Sequence, residues 1–552
     1  MPGIVTNGAS LLIATIVAMA GVVAAHRSRR AVKSIVVVTA ALMLPLAALA
    51  VRAVVQGGPE VASLWLLLPQ VHVVWDMSQV AAVGCSCICL AFGAIALGDW
   101  TTARTVLPLF VGGIGGILAW CTGNFVCMLA ALILVNGSFI LQERPKLQLS
   151  WGIAVLPIAI LALANITLLS SFGTSDYFLI GSNAGGYWVG FGLPLAGYLE
   201  CVLPAVVAWK SGTLQRGIWT AVVGAALLAH TAEVIGLQQL QSGPIAAATI
   251  VSCTTIMLGI LGYHWRESGR HALLALYAAV SGPAVISLYF SDEATILVMI
   301  LCTAVSLLVI CTVVPDVRFL EANRYRWTGW LHRAILLGAA GVPPGAAAIG
   351  WWSILALLIA RGPTWTAASI LALAAWLSVI ALAVVLARGF SPLRSDATQS
   401  RSPCLRERMA AILGIIVLFG TGLIPAVPVG GVLSLLASAN LVVASSTTLQ
   451  LPGGVVGSAA LGSAVIVLVL FGWALGTLSG TVVYQDVELP ATHETLPIGL
   501  HAGQAIRGLG ALGWHMWRRG VHYLNEGDLL LRDQPRLAMI LVGAAIIIVL
   551  VH

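Results

Sequence analysis

Two titratable side chains near the middle of the chain are spaced for chemistry. His230 and Glu233 lie three positions apart in an apolar stretch, so a helix would place both on one face. A carboxylate within hydrocarbon is costly unless it is paired, and the imidazole is its nearest candidate partner. Such a pair can act as a protonation site, because histidine titrates near neutral pH. It can equally be a structural ion pair or hydrogen bond, and the spacing leaves both interpretations open.

Glu200 is the third candidate for a proton or ion path. It lies between Pro194 and Pro204, and these prolines are candidates for a helix break. Unwound backbone inside a membrane offers carbonyl and amide groups to an ion. The alternative is a structural or interfacial role, with Lys210 or water as the partner of the carboxylate.

The elements that must position these residues are membrane helices. The chain is 59% hydrophobic, its mean hydropathy is +1.00, and only three of its 27 basic residues are lysines. A soluble core cannot bury so many apolar runs of spanning length, so the sequence predicts a polytopic membrane protein. The continuous runs favour helices over the alternating segments of a barrel.

The predicted fold is all-α, with about 16 transmembrane helices at roughly 20 residues each. Broken helices are expected near 185–208 and 332–360, the second because the adjacent Pro343 and Pro344 remove two backbone donors. The predicted spans are 8–25, 32–54, 79–97, 105–121, 125–142, 150–170, 185–208, 217–236, 244–263, 270–289, 293–314, 332–360, 368–388, 409–426, 456–478 and 537–551. The stretch 431–449 is either a further span or an interfacial segment.

The distribution of basic residues predicts the orientation. Alternate loops and the segment before the last helix carry 25 of the 27 Lys and Arg residues, leaving Arg52 and Arg361 for the other side. The positive-inside rule therefore places those loops in the cytoplasm and the N-terminus outside a cell inner (cytoplasmic) membrane. This alternation favours a 431–449 segment that does not cross. The net charge of +7 suits loops over anionic lipid, so nucleic-acid binding is not predicted.

Three parts follow from this pattern. Residues 1–480 are expected to form the transmembrane bundle, 481–536 an amphipathic segment on the cytoplasmic side, and 537–552 a C-terminal anchor. Within 499–524, Ile506, Leu509, Leu512 and Met516 recur at helical spacing, which is typical of a helix lying along the membrane or against a partner.

Catalytic and metal chemistry are not predicted. Cys85, Cys87 and Cys89 alternate along one predicted helix, so their thiols do not converge as a metal site or disulfide requires. Walker loops, dinucleotide fingerprints and zinc-protease motifs are missing from the sequence. We therefore expect no catalytic residue, no cofactor and no metal.

Several short segments, in order, resemble the antiporter-like membrane subunits of respiratory complex I, membrane-bound hydrogenases and multisubunit cation/proton antiporters. Val74–Ser78 resembles the family's "(V)D-x-L-S" ahead of the third helix, and Asn124–Val126 its "(D/N)-L-L" start of the fifth. Pro194–Leu199 resembles "P-L-H-x-W-L" in its broken seventh helix. Trp265–Tyr277 resembles "D-x-K-R-L-L-A-Y-S-S" before the tenth, and Gly341–Pro344 the "G-x-P-P" break in the twelfth.

The resemblance also shows where this chain departs from the family. The family's proton path uses a Glu in helix five, a Lys in helix seven, a Lys or His in helix eight and a Lys or Glu in helix twelve. The corresponding positions are near Ile133, near Val189, at His230 and at Trp351. Only His230 can titrate, and a relay needs closely spaced groups that change charge, so a complete path through this chain is in doubt.

The resemblance implies a membrane subunit of a multisubunit proton- or cation-translocating assembly, diverged from the usual charged path and acting as a scaffold or coupling subunit. It would be a non-catalytic part of a respiratory or hydrogenase-type oxidoreductase, such as an NADH:quinone oxidoreductase. Its expected partners are other membrane subunits, soluble subunits on the cytoplasmic side and the lipid bilayer. The alternatives are the cation-conducting partner of an inorganic-carbon uptake complex and an unrelated secondary transporter.

Overall fold

The chain is predominantly helical. The computed structural model describes residues 5–57, 60–68, 71–98, 103–142, 148–180, 192–203, 217–234, 293–313, 334–342, 345–360 and 405–423, with shorter stretches within 276–288, 369–380 and 443–457. The predicted spans 244–263 and 537–551, nearly all of 456–478 and most of 368–388 lie outside these residues, as does the predicted segment 481–536.

Six helices occupy the first part of the chain. Their continuous apolar sequences lack the alternation of a half-buried strand, which favours helix in a bilayer. They are α1 (Val5–Ala24), α2 (Arg29–Gly57), α3 (Gln79–Leu97), α4 (Ala103–Cys121), α5 (Phe125–Gln142) and α6 (Gln148–Phe172).

The remaining described helices pack on this group or extend it. They are α7 (Tyr177–Ile180), α8 (Gly192–Leu203), α9 (Ile218–Val234), α10 (Glu293–Val313), α11 (Ala346–Ala360) and α12 (Leu405–Leu423). Nearly every residue of α9 is buried, whereas α1, α2 and α12 expose large apolar side chains such as Ile13, Leu44 and Ile416. Exposed apolar faces suit contact with lipid, so α1, α2 and α12 lie on the outside of the described bundle. The burial of α9 makes it an interior helix.

Some of the described helices are long enough to span a membrane. Four of the described helices are long and apolar enough to cross a bilayer, over Arg29–Val54, Val80–Leu97, Ala154–Phe172 and Ile296–Val313. Shorter apolar helices include Ile218–Val234 and Gly192–Leu203. The fold is thus that of a helical membrane protein, and the count of about 16 spans stays a prediction.

Strands are present where none was predicted. Strand β1 (Glu60–Leu68) pairs antiparallel with β2 (Val71–Met77), and three short strands, β3 (Val443–Ala444), β4 (Thr448–Leu451) and β5 (Gly454–Gly457), form a second sheet. The all-α class is confirmed for the chain as a whole, and these strands are short additions to it. The hairpin forms because β-branched and aromatic residues in Val71–Trp75 favour extended backbone once the apolar run of α2 has ended. Within 431–449 the structure describes only residues 443–444 and 448–449, which are strand, so whether this stretch crosses the membrane stays a prediction.

Glycines in α4 allow α9 to pack closely beside it. A side chain on Gly112, Gly113 or Gly116 would meet the indole of Trp219, which is nearly fully buried at the start of α9. The bare backbone of α4 therefore forms the surface on which α9 lies. This contact fixes the rotation of α9 and with it the direction of His230.

In the segment predicted as a broken helix, residues 334–339 are helical and this helix ends in a turn at Ala340–Gly341. Gly341 adopts a φ of 94°, its N–H bonds to the Gly338 carbonyl, and the Val342 N–H bonds to Leu337, which together form a Schellman cap. Trp376 donates its indole N–H to the Gly341 carbonyl at 2.9 Å, and α11 begins at Ala346. Pro343 and Pro344 lie outside the described residues, so their own part in the break stays a prediction.

Candidate functional site

His230 and Glu233 form a close pair near the end of α9. The distance between Nδ1 of His230 and Oε2 of Glu233 is 2.7 Å, so the two groups share a hydrogen bond. The imidazole is completely buried, whereas 17% of the Glu233 side chain is exposed. The spacing in the sequence thus predicted the contact between the two groups.

Asp76 joins this pair from the strand that precedes α3. One donor atom from each of Asp76, His230 and Glu233 can be chosen so that all three lie within 4.8 Å of one another. Asp76 is fully buried, and neither carboxylate oxygen makes a hydrogen bond of normal geometry to the described residues. The sequence analysis used Asp76 only as part of a family motif and missed its place in the site.

The turn between α4 and α5 holds Asp76 in position. The Gly123 N–H donates to the Val74 carbonyl at 2.9 Å, and Trp75 forms a β-bridge with Thr122. A Cβ atom on Gly123 would lie 2.4 Å from Cγ1 of Val74, so only glycine allows the turn to approach β2 this closely. The described residues of β2, the turn and α9 therefore meet at one end of the bundle.

Aromatic rings cover the site. The ring of Tyr177 stacks on His230 with centroids 4.6 Å apart and an interplanar angle of 30°, and Phe125 packs edge-on against Tyr177 at 4.6 Å. The Tyr177 N–H donates to the Gly123 carbonyl at 2.9 Å, which ties this cover to the turn that holds β2. Stacking fixes the plane of the imidazole and excludes water from one of its faces.

The electrostatics of Asp76 follow from its surroundings. Asp76 belongs to β2, outside the membrane helices, and burial raises its pKa to about 7; the negative charge of Glu233 adds to the rise, whereas His230 and Ser78 oppose it. The local dielectric in a buried site is low, so the negative charges of Asp76 and Glu233 repel each other strongly. A positive charge placed between the two carboxylates would relieve this repulsion, so the arrangement suits a cation.

Glu200 lies in a different arrangement. It is fully buried on α8, and Nδ2 of Asn136 on α5 donates to its Oε2 at 3.1 Å and also to the Ala154 carbonyl at 3.1 Å. The sequence analysis considered Lys210 or water as its partner and missed Asn136; Lys210 lies outside the described residues. The signal in the sequence was Asn136 itself, because an amide within the apolar sequence of α5 needs a polar partner on a neighbouring helix.

The helix-break candidates near Glu200 are partly described. Pro194 is the third residue of α8, a position in the first turn where proline costs no helical hydrogen bond. Pro204 lies outside the described residues. A break around these two residues stays a prediction.

Three of the four positions that the resemblance aligns with the family's charged path are apolar in this chain, His230 being the fourth. Ile133 on α5 is 51% exposed, so that position faces away from the interior. Trp351 on α11 is buried and stacks on Trp376 with centroids 6.3 Å apart and planes 5° apart. Val189 lies outside the described residues. The position that the resemblance aligns with a lysine in helix twelve is thus occupied by a packed indole.

Comparison with solved structures identifies the architecture. A chain of the membrane-bound sulfane sulfur reductase, an archaeal respiratory membrane complex, aligns with a TM-score of 0.66 and 14% identity over 88% of this chain and 86% of that chain. A chain of the Mrp complex from a Dietzia species aligns with a TM-score of 0.63 and 16% identity over 91% of this chain and 60% of that chain. The chain has the fold of the antiporter-like membrane subunits.

A third structure supports the same conclusion. A chain of respiratory complex I from Thermus thermophilus aligns with a TM-score of 0.58 and 17% identity over 76% of this chain and 98% of that chain. No protein-family model and no curated protein matches the sequence. The predicted resemblance is therefore confirmed at the level of the fold.

Proposed function

We propose that the chain is a membrane subunit of a multisubunit proton- or cation-translocating assembly, in which it serves as a scaffold or coupling subunit. The fold shared with chains of complex I, the Mrp complex and the sulfane sulfur reductase supports the assembly. The buried Trp351 at the position of the family's helix-twelve lysine supports the diverged role most directly.

The interior polar groups support a partial ion path. The described helices bury Glu200 with Asn136, and His230 beside Glu233, while Ile133 and Trp351 carry no charge. A proton relay requires successive groups that change charge along its whole length. His230, Glu233 and Glu200 are therefore our ion-path candidates, and any complete path would use groups from neighbouring membrane subunits.

The cellular setting belongs to the same proposal. The subunit would lie in the cell inner membrane with its N-terminus outside, and soluble subunits would bind its cytoplasmic face. It would contribute no catalytic residue to a respiratory or hydrogenase-type oxidoreductase. An affinity-tagged chain should therefore co-purify from native membranes in mild detergent with several membrane subunits and with soluble redox subunits.

Other co-purification results would contradict this assignment. A single large soluble zinc protein would favour the inorganic-carbon uptake complex, and a lone monomer would favour a secondary transporter. An unrelated tagged membrane protein from the same cells provides the background.

The scaffold role has a separate test. The purified chain alone, reconstituted in sealed vesicles with a pH-sensitive dye inside, should not increase proton flux under an imposed gradient. The intact assembly, reconstituted in the same way, is the positive control. Proton flux through the chain alone, proportional to the protein inserted, would show that it conducts unaided.

A further inference from the structure

We propose that Asp76, His230 and Glu233 bind a divalent transition-metal cation. This inference does not depend on the proposed function, because it concerns what three side chains can hold. It also revises the expectation of a metal-free chain, which rested on the cysteines and on linear motifs. Among the described residues, this is the group of three or more metal-ligating side chains whose donor atoms converge.

The donor set suits such an ion. Two carboxylates and one imidazole match the nitrogen and oxygen ligands that Zn²⁺ accepts, and three protein ligands leave a fourth position for water. With a neutral imidazole the three groups carry two negative charges, which one divalent cation balances. Donor atoms within 4.8 Å of one another need only a small inward shift to reach ligand distances of about 2.0–2.2 Å from a common centre.

The carboxylate of Asp76 supports the site independently of its composition. Asp76 is completely buried. Its two oxygens lack a well-formed hydrogen bond to the described residues, with Ser78 as the neighbouring donor. Buried polar groups normally have strong partners, so an incompletely satisfied carboxylate within a set of metal ligands favours the binding of a cation.

Nδ1 is the atom of the His230 ring that faces Glu233. It lies 2.7 Å from Oε2 of Glu233, so Nδ1 and the two carboxylates would hold the ion, which would take the place of the hydrogen bond between them. Stacking on Tyr177 holds the ring plane in addition.

Glu233 forms the edge of the site. It keeps 17% of its side chain exposed, whereas the other two ligands are buried. We therefore expect an ion to enter beside Glu233, at the end of the bundle where β2 meets the turn between α4 and α5.

Zn²⁺ binding to the full chain in detergent tests the proposal. After removal of metal with a chelator and dialysis, competition with a colorimetric chelator should show one tight Zn²⁺ site per chain. Asp76→Asn, His230→Gln and Glu233→Gln should each weaken binding about tenfold or more. Glu200→Gln is the matched control, because it neutralises a buried carboxyl held by Asn136, and it should bind as the unsubstituted chain does.

X-ray absorption on the Zn²⁺-loaded, unsubstituted chain keeps the test independent of variant folding. The spectrum should show nitrogen and oxygen ligands at about 2.0–2.2 Å with the signature of one imidazole. Absence of a stoichiometric site, or sulfur ligands, would overturn the proposal. So would equal binding by well-folded variants of all three residues, with gel filtration as the check on folding.

Discussion

At the scale of single residues, the contact between Asn136 and Glu200 joins α5 to α8. Asn136 donates a hydrogen bond to the fully buried carboxyl group of Glu200, and the same amide also donates to the Ala154 carbonyl of α6. Removal of one partner from a buried polar pair exposes the other to its full desolvation cost. The pair should therefore matter more to stability than its two hydrogen bonds alone would suggest.

Asn136→Ala should lower the stability of the chain by about 1–3 kcal/mol, because Glu200 keeps its polar oxygens but loses their donor. Thermal denaturation in detergent, followed by the loss of monodisperse protein, measures the change. Adding Glu200→Leu to Asn136→Ala should recover part of the loss, since the orphaned carboxyl is removed. Additive losses in the two single variants and the double variant would show that the contact carries no coupling energy.

The same scale shows how much of the site the sequence could predict. The pairing of His230 with Glu233 follows from a spacing of three on one helix. Asp76 is 154 positions away from His230 in the chain, and contacts of Val74 and Trp75 with the turn between α4 and α5 hold it in place. Local periodicity contains no information on such a contact, and neither does it reveal that Asn136 faces Glu200.

At the scale of elements, α8 and α9 cross with their backbones in contact. A Cβ atom on Gly224 would lie 2.7 Å from the Cys201 backbone nitrogen and 2.9 Å from the Gly197 carbonyl oxygen. A Cβ atom on Gly197 would lie 2.8 Å from the Leu228 side chain. Small residues at such a crossing allow the close van der Waals packing that stabilises helices in a membrane.

Gly224→Ala should destabilise the chain by about 1–3 kcal/mol, because the added methyl group meets backbone atoms that cannot move without separating the two helices. Gly137→Ala on α5 is the matched control, since nothing lies within 4 Å of its added Cβ. That control should be neutral or slightly stabilising, as alanine has the higher helix propensity. Thermal denaturation of both variants in the same detergent decides the prediction, and equal melting temperatures would contradict it.

Element boundaries were predictable where the apolar run is continuous and its ends are polar. The bounds expected for α3 and α5, 79–97 and 125–142, are those of the structure, and α10 ends one residue before its predicted limit. The hairpin of β1 and β2 escaped prediction because it lies between spans, where hydropathy sets no period. Its second strand also bonds to the turn at Gly123, which is distant in sequence.

At the scale of the whole molecule, segments that topology places on one side of the membrane do meet. The basic-residue pattern assigns β2, the turn at 122–124, the segment 173–176 and the end of α9 to the same side. The bridges Trp75–Thr122 and Asn124–Asp176, and the approach of Asp76 to Glu233, join these segments. The alternation of helices through α9 is therefore supported by contacts, while the absolute direction depends on the positive-inside rule alone.

The direction can be measured with two substitutions at opposite ends of the bundle. Ser28 is exposed between α1 and α2, and Ser171 is exposed near the end of α6, close in sequence to Asp176. The 29 residues of α2 separate the loop of Ser28 from the hairpin by about 40 Å at 1.5 Å per residue. In intact cells, a membrane-impermeant maleimide should label Ser171→Cys, whereas Ser28→Cys should react only after the membrane is permeabilised.

The unsubstituted chain gives the background from native thiols, of which the described ones are buried or half-buried. The reversed pattern would place the basic loops and the N-terminus on the other sides from those proposed. Labelling of both positions from outside would mean that an odd number of the intervening segments fails to cross, and would contradict the predicted alternation itself.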